Sequence, residues 1–135
     1  MQADSITLTP DLEQRIQGLG LEFLARFLEL ETRRKPTNVD ALAELGHVYT
    51  HQGLHDKGLA VDRKLVRLVP DNPTVHYNLA CSLSILGHRD EALESLASAI
   101  ELGYDDADFM RRDEDLRNVW SEDGFRRLID RIRQA

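Results

Sequence analysis

A repeat of 34 residues is the strongest constraint on what this chain can fold into. Pro36 and Pro70, Asn38 and Asn72, Leu45 and Leu79, Gly53 and Gly87, Asp56 and Asp90, and Leu59 and Leu93 are each separated by that offset. A fixed period of a few dozen residues marks one supersecondary unit used more than once, each copy burying the apolar face that its neighbour leaves open.

The recurring residues have mechanical roles. Asn38 and Asn72 stand where a helix should begin and can cap free backbone amides, and Pro73 follows at a first-turn position where its missing donor costs nothing. Gly53 and Gly87 come after apolar positions at helical spacing, Leu42, Leu45 and Tyr49 in one copy and Leu79, Leu83 and Leu86 in the other. Glycine there can adopt the left-handed turn that ends a helix. Asp56 and Asp90 then place negative charge at the start of a second helix. Residues 37–70 and 71–104 therefore read as two helix-turn-helix units in tandem, with no competing strand signal.

These residues resemble the tetratricopeptide repeat, whose unit is a 34-residue pair of antiparallel helices. Leu45, Gly46, Tyr49, Gly53, Leu68 and Pro70 fall on its pattern in the first unit. Asn78, Leu79, Ala80, Gly87, Ala92, Ala99 and Ile100 do so in the second. The resemblance implies an all-α fold: a short helical solenoid with capping helices at both ends, of the small bacterial type. Gly58, Asp62, Leu65 and His76 depart from the pattern. Asp62 and His76 are expected to be at least partly buried and to contact each other across the junction between units.

The ends are less regular. Residues 1–8 are expected to be loose and residues 9–36 to form one or two helices of an incomplete repeat. In the latter, Leu21, Leu24, Phe27, Leu28 and Glu31 make an amphipathic face, and Gly18 and Gly20 mark an expected break. After residue 104 a third copy fails, because its register puts Asp113 where a buried Leu belongs. Residues 105–135 instead read as three short helical segments from their acidic starts and apolar spacing. They resemble the tail that closes tetratricopeptide arrays in many bacterial proteins, with Met110, Leu116, Trp120, Phe125, Leu128 and Ile129 covering the last repeat.

Composition narrows function by exclusion. The 135 residues, 41% hydrophobic, suit one domain with a continuous core. A net charge of -7 argues against a nucleic-acid partner, whose phosphates need a clustered cationic face, and against a basic membrane-surface helix. No apolar run approaches membrane-spanning length. The single cysteine, Cys81, cannot form an intrachain disulfide, and the start of the chain lacks the pattern of a secretion signal. A cytoplasmic location is the resulting expectation.

The candidate site lies on the first helices of the two units, which line the concave groove in the tetratricopeptide register. In the first unit this face is expected to carry Asp40, Ala43, Glu44, His47 and His51, and in the second Thr74, Tyr77, Asn78, Cys81 and Ser84. His47 and His51, four apart, can chelate zinc or nickel, but Asp40 and Glu44 spread over too many turns to complete a shell. A polar groove face is the stronger reading, and no cofactor is expected. Cys81 reads as a small packing residue rather than a nucleophile. Some family members clamp a partner's C-terminal carboxylate with an Asn at the position of Asn78. The cations that assist it there are replaced here by Ala43 and His47, so the clamp loses its charge. The acids Asp90, Glu91, Glu94, Glu101, Asp105, Asp106 and Asp108 read as a solvated outer face.

The expected function is a non-enzymatic adaptor that binds a peptide or helix of a protein partner in the concave groove. The alternatives are a chaperone for secreted or aggregation-prone clients, and a metal-binding protein using His47 and His51. Self-assembly through the incomplete first repeat is a further expectation for the partner set.

Overall fold

The computed structural model describes residues 9–135, and every regular element among them is helical. Five helices come first: α1 (Pro10–Arg34), α2 (Val39–His51), α3 (His55–Leu68), α4 (Pro73–Ile85) and α5 (Arg89–Glu101). Then α6 (Ala107–Arg112), a 3-10 turn (Glu114–Val119) and α7 (Asp123–Gln134) complete the chain. Residues 1–8, expected to be loose, lie outside the described residues. No helix of the described residues is long and apolar enough to cross a membrane.

Local chemistry sets the boundaries. The side chains of Asn38 and Asn72 accept hydrogen bonds from the amides of Ala41 and Thr74, at 3.1 and 2.8 Å. Both α2 and α4 end on the same device. Gly53 and Gly87 have φ of 74° and 83°, which a side chain would strain. The next amides, of Leu54 and His88, reach back to the carbonyls of Tyr49 and Leu83 at 2.9 and 2.8 Å. Each turn reverses the chain into its partner helix.

Each of α1 to α5 packs against the next, so consecutive antiparallel helix pairs stack into a tetratricopeptide-like solenoid. The core has two parts. One gathers Ala25 and Leu28 of α1 with Leu42, Leu45, Val48 and Tyr49 of α2, Val61 and Leu65 of α3, and Val75. The other joins Leu83, Leu96 and Ala99 of the second unit to Met110, Leu116, Val119, Phe125 and Ile129 beyond it. Val66 touches both.

Two expectations are corrected. Gly18 and Gly20 do not break α1, which runs unbroken for 25 residues. Glycine costs a helix only about 1 kcal/mol against alanine, and no proline enforces a stop. Asp62 and His76 do not pair: Asp62 accepts the hydroxyl proton of Ser82, while His76 Nε2 lies 2.7 Å from the carbonyl of Pro70. Each finds a nearer partner, one across the α3–α4 packing and one in its own preceding turn.

Asp113 explains why the third copy stops. Its Oδ1 accepts from the amide of Asp115 at 3.1 Å and so caps the 3-10 turn. Its Oδ2 accepts from the Tyr77 hydroxyl at 2.6 Å. A leucine could do neither.

Candidate binding groove

A cavity of about 520 Å³ lies between α2, α3, α4 and the C-terminal segment. From α2 it receives Ala43, Gly46, His47 and Thr50, and from α3 Asp62 and Leu65. From α4 come Thr74, Tyr77, Asn78 and Cys81, together with Ser82 and Ile85. The C-terminal segment supplies Tyr104, Asp106, Phe109, Asp113 and Asp115.

Of the ten residues expected to line the groove, Ala43, His47, Thr74, Tyr77, Asn78 and Cys81 border this cavity, whereas Asp40, Glu44, His51 and Ser84 do not. The reason on α2 is rotation. The cavity faces the stripe 43, 46, 47 and 50, roughly a quarter turn round the helix from the stripe 40, 44, 47 and 51 at 100° per residue. Asp40, Glu44 and His51 consequently stand exposed beside the groove. The Nδ1 of His51 lies 2.8 Å from the carbonyl of His47, so that ring is turned to its own backbone rather than to the His47 ring. Ser84 is fully buried behind the groove, where its carbonyl accepts from Asn118 at 2.7 Å.

Aromatic rings form one wall. Tyr77 stacks on Tyr104 with centroids 4.6 Å apart, and Phe109 lies 6.1 Å from Tyr77 at a tilt. Tyr77 is itself buried under them, so Tyr104 and Phe109 are the rings left for a visitor. Burial, the bond to Asp113 and the nearby charges all push the Tyr77 phenol far up and keep it neutral.

Carboxylates define the rest. Asp62, Asp106, Asp113 and Asp115 all border the cavity, and His47 is the sole basic side chain among the lining residues. Burial raises the Asp62 carboxyl, with the Ser82 bond and the His47 charge pulling the other way. Burial, then repulsion from Asp113, raises Asp115. Each rise is a cost of burying negative charge that a cation bound nearby would offset.

Cys81, Asp113 and Asp115 place one ligand atom each within 4.8 Å of one another. Yet the Asp113 oxygens already accept from Tyr77 and Asp115, and the Cys81 sulfur lies 3.8 Å from Asp113 Oδ2. Burial first and the neighbouring carboxylates second push the thiol well up, so it stays protonated. A protonated thiol is a poor nucleophile and a poor metal ligand.

Residue patterns missed Asp106, Asp115, Tyr104 and Phe109. Asp106 belongs to the acidic run assigned to the outer face, and it is the N-cap of α6, accepting from the Phe109 amide at 3.0 Å. The available signal was the failure of the third repeat, which sends this segment back across the groove.

The arrangement defines a helical solenoid with an acidic, aromatic cavity on one side. No family model matches the sequence, and no curated protein does. Solved structures do match. A crystal structure of MamA shares 22% identity at a TM-score of 0.70, covering 96% of this chain and 73% of that one. A second MamA structure, also at 22% and 0.70, covers 90% and 64%. The structure described as MamA MSR-1 C2 shares 19% identity at 0.61, covering 88% and 71%. At these identities the likeness speaks for the fold.

Proposed function

We propose that this chain is a non-enzymatic adaptor whose groove binds a protein segment presenting a Lys or Arg side chain. The observation that carries the reading is the charge of the groove: four carboxylates and no Lys or Arg among its lining residues. A cation entering there meets carboxylates in a partly desolvated site, where the attraction is larger than in water. Its apolar stem can lie on Tyr104 and Phe109, and cation–π attraction adds to the contact. Asn78, half-buried on the same wall, supplies a donor and an acceptor for the segment's backbone. The protonated Cys81 and neutral Tyr77 offer no nucleophile or base, which favours binding over catalysis. In this reading the C-terminal segment caps the array as well as walling the groove.

Selection from a random peptide library displayed on phage tests the proposal. Wild-type protein should enrich Lys- or Arg-containing sequences with apolar neighbours, and their affinity should fall as salt rises. The variant D106N/D115N should lose that preference by at least about tenfold in affinity, one carboxylate contact of roughly 1.4 kcal/mol or more. Asn retains the capping oxygen of Asp106, so the fold is kept. Enrichment of neutral or acidic peptides, or equal binding by the variant, would sink the reading.

A further inference from the structure

The first helix carries two apolar faces, and only one is covered among the described residues. Ala25 and Leu28 are buried against α2, with Leu21 partly so. On the opposite side Leu12, Ile16, Leu19, Phe23, Phe27 and Leu30 form a continuous stripe, exposed throughout, with Leu19 at 66% and Phe23 at 76%. At 100° per residue the two stripes lie nearly half a turn apart. Every residue from Pro10 to Gly20 is exposed, so the first three turns of α1 lean on nothing among the described residues. An isolated helix of that length is marginal in water, and a helix apolar on both sides belongs between two neighbours.

We propose that the outward face of α1 is a dimerisation surface, occupied by α1 of a second copy of this chain running antiparallel. The stripe is close to a palindrome about residue 21. In antiparallel register Leu12 meets Leu30, Leu19 meets Phe23, and Ile16 meets Phe27 within one residue. A self-complementary surface of this kind is what a two-fold interface requires, each contact made twice.

Charge supports the same direction. Along one flank of the stripe Asp11, Arg15, Glu22, Arg26, Glu29 and Arg33 alternate in sign. The antiparallel pairing brings Asp11 toward Arg33 and Arg15 toward Glu29, and it sets the acidic first turn against the basic last turn. Glu22 approaches its own copy at the two-fold, where Arg26, bonded to it at 2.8 Å, offsets the repulsion. Gly20 lies beside the stripe near the same point, and a Cβ built on it meets nothing within 4 Å, which leaves room for a close crossing.

Sedimentation of the full chain from about 1 to 200 μM tests the proposal. The mass should rise from the 15.4 kDa monomer toward twice that value, and F23E should weaken association by at least tenfold while leaving the melting of the repeats intact. Direction is read by cysteine crosslinking in a C81A background. Chains carrying L12C should crosslink to chains carrying L30C, and neither to itself. A monomer at every concentration would overturn the proposal, as would a dimer unaffected by F23E or self-crosslinking of L12C. A chain that dimerises only after removal of residues 1–8 would assign the face to its own N-terminus, and would overturn it too.

Discussion

The two ends of the solenoid solve the same problem in opposite ways. At the C-terminal end, the exposed face of the second unit is covered by α6, the 3-10 turn and α7, and Met110, Leu116 and Val119 are fully buried there. At the N-terminal end α1 covers the first unit but is itself left uncovered among the described residues, with seven large apolar side chains exposed. The difference teaches that a repeat array has no intrinsic stopping point. One end stops because polar residues replace the repeat pattern; at the other, the outward stripe of α1 stays exposed among the described residues.

The largest test of that contrast is truncation at matched apolar sites. Leu116→Ala removes a side chain with no exposed surface, and should cost about 2–5 kcal/mol, through lost burial and the cavity left behind. Phe23→Ala, measured by denaturant unfolding at a concentration where the chain is monomeric, should stay within about 0.5 kcal/mol of wild type. A large loss from Phe23→Ala in the monomer would mean that the open end is covered after all.

Part of this asymmetry was legible in the residues and part was not. The repeat, the Asn caps and the Gly turns are local devices, each readable from a few neighbours. Asp113 could be seen to break the register, but its bond to Tyr77, 36 positions away, depends on where the chain returns. On α2 the stripe 40, 44, 47 and 51 is the polar one, whereas packing against α1 and α3 decides which side borders the cavity. On α1 the expected face of Leu21, Leu24, Phe27, Leu28 and Glu31 holds at Leu21 and Leu28, whereas Leu24 and Phe27 stand exposed and Phe27 belongs to the outward stripe. The second face is hard to read from residues alone, because an amphipathic pattern ordinarily has one buried side.

A pair of tyrosines sharpens the comparison at intermediate scale. Tyr49 donates to Glu29 at 2.7 Å near the open end, and Tyr77 donates to Asp113 at 2.6 Å near the closed one. Tyr77→Phe should cost more, about 1.5–3 kcal/mol for a hydrogen bond to a carboxylate inside the closed end. Tyr49→Phe should cost about 1 kcal/mol or less, because Glu29 is only half-buried and regains water. Alkaline unfolding gives a second readout. Burial, then Glu29, pushes the Tyr49 phenol up to about 12. A pKa raised by folding contributes stability that is full below the ordinary phenol value near 10 and is lost as pH climbs toward the folded value. Wild type should therefore lose stability above pH 10 faster than Tyr49→Phe, and parallel curves would show that this phenol is solvated.

The smallest expected effect compares one position in the two units. Thr50 and Ser84 are related by the 34-residue offset. The Thr50 hydroxyl donates to the carbonyl of Gly46 at 3.0 Å and faces the groove. The Ser84 hydroxyl is fully buried and has no hydrogen-bond partner among the described residues. An unpaired buried hydroxyl costs about 1–3 kcal/mol of desolvation, and alanine is the better helix former. Ser84→Ala should therefore raise stability by up to about 1 kcal/mol, the gain reduced by the small void left in its place. Thr50→Ala exchanges a local bond for helix propensity and should change stability by less than about 0.5 kcal/mol. Thermal melts of the two single variants decide it. If Ser84→Ala is the destabilised one, the hydroxyl has a partner, and the closed end is held by polar contacts as well as by the packing of Met110, Leu116 and Val119.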